Sequence, residues 1–264
     1  MSRIAATFDE LKKQGRKALI PFATAGDPDP ALTVPLLHAF VEAGADLLEL
    51  GVPFSDPMAD GPVIQRASER ALAHHVGLGD VLGMVREFRK RDTATPVILM
   101  GYANPVEAMG IERFTTEAAA AGVDGVIIVD YPPEECTQLA ALAKQNGIDL
   151  IFLLAPTSTP ERVRQVARIA SGFVYYVSLR GVTGAGSLDV ADVVARLSQL
   201  KTEIKLPIGV GFGIRDAESA RRIAAAADAV VIASKLIQEM EQAGPRGALE
   251  SAKRVLRPIR EALT

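Results

Sequence analysis

The sequence has no tryptophan, one cysteine and three histidines, and only 5% of its residues are aromatic. A lone cysteine, Cys136, cannot form an intramolecular disulfide, which points to a reducing, cytoplasmic setting. His38, His74 and His75 fall in helical stretches, so a first-row metal site of the usual kind is not expected. No apolar run approaches the ~20 residues of a membrane span. Residues 1–17 read as an amphipathic helix with Ile4, Phe8 and Leu11 on one face, and Asp9 and Glu10 argue against a transit peptide. With 29 basic against 32 acidic residues, nothing suggests nucleic acid. The one basic cluster, Arg86 to Arg91, contains Glu87 and ends a helical pattern, where it reads as a solvated face complementing the helix dipole. No nucleophile elbow is present for a hydrolase triad.

What the chain does have is alternation. Short apolar runs at 18–24, 46–51, 96–101, 125–130, 149–154, 172–178, 206–211 and 228–233 read as buried strands, separated by amphipathic helical patterns. Eight strands alternating with helices predict a parallel sheet, and eight is the number that closes a (β/α)8 TIM barrel. The expected organisation is one α/β domain over 1–264, with the helix in 1–15 packing on the barrel. The alternative, an open doubly wound sheet, would want a glycine fingerprint after the first strand; Ala25-Gly26-Asp27-Pro28 is not one.

The run Asp46-Leu47-Leu48-Glu49-Leu50-Gly51 carries an acid near its end, and the loop after it carries a second, Asp60. Glu49 shares parity with Leu47 and Gly51, so in a barrel it projects to the opposite face from Leu48 and Leu50. A carboxylate facing the interior is costly unless paired or protonated. Two carboxyls in unlike settings suit separate proton-handling roles. The competing reading is a salt-bridged Glu49 and an Asp60 that caps the helix beginning near Pro62. Glycines gather after the later strands, in Gly181-Val182-Thr183-Gly184-Ala185-Gly186 and Gly209-Val210-Gly211-Phe212-Gly213, and Ser234 can cap a short helix after the last. Such barrels often hold phosphate there, on backbone N–H groups and a helix N-terminus. Schiff-base chemistry would need a desolvated lysine in the mouth, and Lys235 reads as solvent-facing.

The stretch from Leu48 to Pro62, Leu-Glu-Leu-Gly-Val-Pro-Phe-Ser-Asp-Pro-Met-Ala-Asp-Gly-Pro, resembles the signature of the tryptophan synthase alpha subunit family. Pro21-Phe22, Met100 to Pro105, Asp130 to Glu135, Gly181-Val182-Thr183-Gly184 and Gly211-Phe212-Gly213-Ile214 match further motifs, in order, across about 18–235. The resemblance implies a lyase that cleaves indole-3-glycerol phosphate to indole and glyceraldehyde 3-phosphate by a reversed aldol reaction. It implies Glu49 as the proton shuttle and Asp60 as the acid that bonds the indole N–H. Phe22, Tyr102, Ile127, Leu153 and Tyr175 match positions around the indole ring; Gly184, Gly213 and Ser234 match the phosphate cradle; and Thr183 matches the loop that closes over Asp60.

The same resemblance implies a beta subunit in an α2β2 heterotetramer, touched by the Pro53 to Asp60 and Asp130 to Pro133 loops. Pyridoxal phosphate is expected only on that partner, so this chain should bind no cofactor. The sequence departs from the family at Leu179-Arg180 before the glycine loop, at Met58 where leucine is common, and at Ala233 where glycine is usual beside the phosphate. Two other readings stand beside the lyase: a different phosphate-binding barrel isomerase or synthase, and a non-catalytic regulatory subunit.

Overall fold

The computed structural model describes residues 2–177, 190–211 and 213–264. The strands described are β1 (Ala18–Thr24), β2 (Leu48–Gly51), β3 (Val97–Gly101), β4 (Gly125–Ile128), β5 (Asp149–Leu150), β6 (Phe152–Leu154), β7 (Val174–Val177), β8 (Ile208–Gly211) and β9 (Ala229–Ile232). All neighbours pair in parallel, in the order β5-β4-β3-β2-β1-β9-β8-β7-β6. The two ends of that order are consecutive in the chain, so the ring closes into the expected barrel. The fifth expected strand is split because its partner changes: up to Leu150 it pairs with β4, and from Phe152 with β7. Ile151 bridges the switch, its N–H donating to the Val126 carbonyl at 2.9 Å.

Helices fill the connections, and three differ from expectation. The helix expected before β4 is two, Ala103–Met109 and Ile111–Ala121, divided at Gly110, whose φ of 88° only glycine adopts readily. Pro132 and Pro133 delay the next helix, so a single 3-10 turn, Pro133–Glu135, precedes Thr137–Gln145. His74 and His75, expected within a helix, lie just past the end of the helix Pro62–Ala73, His74 as its C-cap and His75 with φ 59°.

Side-chain parity sorts the core into two layers. Leu48 and Leu50 pack outward against the helices, whereas Leu47, Ile98, Ile127, Phe173 and Val231 fill the barrel interior. The first helix, Arg3–Lys13, adds Ile4, Phe8 and Leu11 to that interior layer and thereby plugs one end of the barrel. Each such side chain contributes roughly 1.5–3 kcal/mol on burial, which holds a helix too short to persist alone. Polar groups at the same end lock it: Arg3 and Arg89 both pair with Asp124, at 2.7 and 2.6 Å. Arg89 corrects the solvated reading of the basic cluster. Its side chain is 10% exposed and also donates to the carbonyls of Gly122 and Thr95, while Arg86, Lys90 and Arg91 remain exposed. Asp46 likewise lies just before β2, not in it; its carboxylate accepts from the Leu19 N–H at 2.8 Å and pairs with Arg260.

Candidate active site

The barrel positions the first acid by register. Phe22 of β1 lies opposite Glu49 of β2, and one step nearer the mouth Thr24 lies opposite Gly51. Glu49 is 1% exposed, and its Oε2 has no hydrogen-bond partner among the described residues. The salt-bridged alternative is therefore not what is found. Burial, and then the charge of Asp60, push its carboxyl up to about 8, so it holds its proton at neutral pH.

Asp60 sits on the loop between β2 and the helix Pro62–Ala73. That helix is capped by Gly61 with no side-chain bond, so Asp60 does not serve as its cap. Its backbone is fixed instead: Gln65 Nε2 donates to the Asp60 carbonyl at 2.8 Å, and the preceding Ala59 N–H donates to the Tyr102 hydroxyl at 3.1 Å. Burial raises the Asp60 carboxyl to about 6, opposed by a hydrogen bond from Tyr102. Asp60 titrates while Glu49 is still neutral, so the like-charge repulsion falls on Glu49. At neutral pH the pair is one acid and one carboxylate.

A pocket at the strands' C-terminal ends is lined by Phe22, Asp60 and Tyr102 together with Thr24, Met100 and Val129. Phe54 stacks on Tyr102 at 5.1 Å between ring centroids, joining the acidic loop to this wall. Ile127 is fully buried and Tyr175 nearly so in the interior layer, with Leu153 packed against it. Tyr175 lies near enough to Glu49 for that charge, after burial, to raise its phenol above the ordinary range. Met100, Val129 and Thr24 escaped the sequence reading. Each stands two residues beyond an interior position (Ile98, Ile127, Phe22), so the period of two would have found them.

The glycine run divides. Gly209 and Gly211 lie within β8 and make room for aromatic rings: a Cβ at Gly211 would come within 1.9 Å of the Tyr175 hydroxyl. Gly211→Ala is expected to displace Tyr175, cost about 1–3 kcal/mol in chemical denaturation and raise KM. Gly213, with φ 77°, follows at the mouth. Beyond the adjacent β9, the helix Ser234–Ala262 is capped by Ala233; Ser234 is its first residue, not its cap, and is exposed. Its first-turn N–H groups still face the mouth as a potential anion site. That helix is also kinked at Gly244, which divides it after a short first segment. Lys235 turns along it to pair with Glu239 at 2.6 Å. Thr183, Gly184, Leu179 and Arg180 lie outside the described residues. No group of three or more His, Cys, Asp or Glu able to hold a metal occurs among the described residues.

A family model, Tryptophan synthase alpha chain, matches residues 8–262. The chain belongs to that family. It is 63% identical over 264 residues to the tryptophan synthase alpha chain of Cupriavidus pinatubonensis, covering 100% of this chain and 99% of the relative. Against that of Azoarcus sp. it is 62% identical over 263 residues, covering 100% and 97%. A crystal structure of tryptophan synthase subunit alpha from Legionella pneumophila superposes with a TM-score of 0.94 at 47% identity, covering 100% and 98%. One of tryptophan synthase from M. tuberculosis gives 0.90 at 33%, covering 100% of both chains. As a tryptophan synthase alpha chain it is a lyase of tryptophan biosynthesis that cleaves indole-3-glycerol phosphate. The interior acid and the loop acid are thus to be read against an indole ring and a phosphorylated side chain.

Proposed function

We propose that Glu49 and Asp60 divide the proton handling of this retro-aldol cleavage. Protonated Glu49 delivers its proton to indole C3, and the positive charge appears on the ring nitrogen, where ionised Asp60 accepts the N–H bond and stabilises it. The C3′ hydroxyl then loses its proton, the C3–C3′ bond breaks with its electrons returning to the ring, and indole leaves as glyceraldehyde 3-phosphate forms. Glu49, now a carboxylate, takes up the hydroxyl proton. Phe22, Tyr102, Ile127, Leu153 and Tyr175 enclose the ring. Gly184, Gly213 and Ser234 bind the phosphate, and Thr183 belongs to the segment that closes over Asp60. The observation that carries this reading is the buried Glu49 carboxyl, its Oε2 without a hydrogen-bond partner among the described residues, beside a second carboxyl that ionises first.

The chain works as one domain, in the cytoplasm, without a cofactor of its own; among the described residues no helix is long and apolar enough to cross a membrane. Its partner is a tryptophan synthase beta subunit, which carries pyridoxal phosphate, in an α2β2 assembly. The Pro53–Asp60 and Asp130–Pro133 loops form the contact. Met58, at 83% exposed the large apolar side chain most open to solvent among the described residues, supports the first of these. The test is indole release from indole-3-glycerol phosphate by the purified chain, followed by serine-dependent tryptophan formation on adding a beta subunit. Release without tryptophan would overturn the partner, and no release with either would overturn the lyase reading.

A further inference from the structure

Thr24 is 2% exposed, lines the same pocket as Asp60, and its hydroxyl has no hydrogen-bond partner among the described residues. A buried hydroxyl left unpaired costs roughly 1–3 kcal/mol, and a valine of the same shape would avoid that cost on a strand. The pocket also holds an acceptor with spare capacity. A carboxylate offers about four lone-pair sites, and among the described residues the Asp60 carboxylate takes a side-chain bond only from Tyr102, since Gln65 is bonded to its backbone carbonyl. Of the other lining side chains, Phe22, Val52, Ile64, Met100 and Val129 offer no oxygen, and Ser68 offers a neutral hydroxyl, a weaker acceptor than the Asp60 carboxylate. Opposite Thr24 stands Gly51, which has no side chain to block its reach toward the loop.

We propose that Thr24 is a positioning residue for Asp60: with substrate bound, its hydroxyl donates to the Asp60 carboxylate and holds it ionised and turned to the ring N–H. The inference rests on the role given above to Asp60. Among the described residues, the titratable groups facing Asp60 are Tyr102, after β3, and Glu49, beneath it on β2; the pocket residues from the helix Pro62–Ala73, Ile64 and Ser68, do not titrate.

The experiment compares Thr24→Val, Thr24→Ala and Thr24→Ser, alone and with Asp60→Asn, by kcat, KM and pH profile of indole release. Losing a hydrogen bond to a charged group is worth about 10- to 100-fold. Both hydroxyl-free variants should therefore lose kcat by about tenfold or more with KM little changed. The acidic limb of the profile should move up by roughly one pH unit. Thr24→Ser should stay within a fewfold of wild type, and in the Asp60→Asn background Thr24→Val should cost nothing further. An unchanged kcat and limb in Thr24→Val, or an equal loss in Thr24→Ser, would overturn the inference. So would a full additional loss on top of Asp60→Asn. If Asp60→Asn is itself fully active, the role of Asp60 fails and this inference with it.

Discussion

Glu49→Gln leaves substrate binding nearly intact and lowers kcat for indole release by at least about a thousandfold. General acid–base catalysis by one positioned group is worth about 10²–10⁴, and this group serves twice, as acid at C3 and base at the hydroxyl. The amide keeps the volume and the register opposite Phe22 but has no proton to give. The same substitution should stabilise the fold. A carboxyl raised from 4.5 to about 8 holds its proton in the folded state and releases it on unfolding, so stability falls as pH rises through that window. At about 1.4 kcal/mol per pH unit, Glu49→Gln should gain on the order of 4 kcal/mol at pH 7.5, with a gain that vanishes near pH 4. Denaturation at the two pH values, run alongside the assay, checks both halves. Equal stability at both, or turnover near wild type, would show that Glu49 is neither the strained acid nor the proton shuttle.

Asp60→Asn lowers kcat by about 10²–10³, the size of losing one preorganised electrostatic partner in a dry site. It should also remove one limb of the pH profile. Wild-type kcat/KM should rise through about pH 6 as Asp60 ionises and fall through about pH 8 as Glu49 loses its proton. In Asp60→Asn the acidic limb goes, and the alkaline limb moves down, because removing a negative neighbour makes Glu49 easier to ionise. A rise, or an acidic limb that survives, would place the titrating group elsewhere.

Most of the barrel was legible because its signal is local. Each buried strand is a short apolar run and each helix an amphipathic period, and neither needs a distant partner to be recognised. The facing of Glu49 was legible for the same reason: with a side-chain period of two, the parity of Leu47, Leu48 and Leu50 sets its side of the sheet. The misreadings share the opposite cause. Arg89 looks like its solvated neighbours until Asp124, 35 residues later, closes on it. Gly211 looks like a phosphate-binding glycine until Tyr175 arrives from β7. The break at Ile151 exists only because two different strands claim the two halves of one run.

The sequence by itself determined the alternation, the barrel, the family and which two acids to watch, all of which are carried by spacing and residue type along the chain. Only the tertiary structure decided that, among the described residues, the Glu49 Oε2 and the Thr24 hydroxyl are left without hydrogen-bond partners, and that Asp60 leans on Tyr102 instead of capping its helix. Those are statements about desolvation and pairing, and both depend on every element that packs around a group, which no stretch of chain specifies alone.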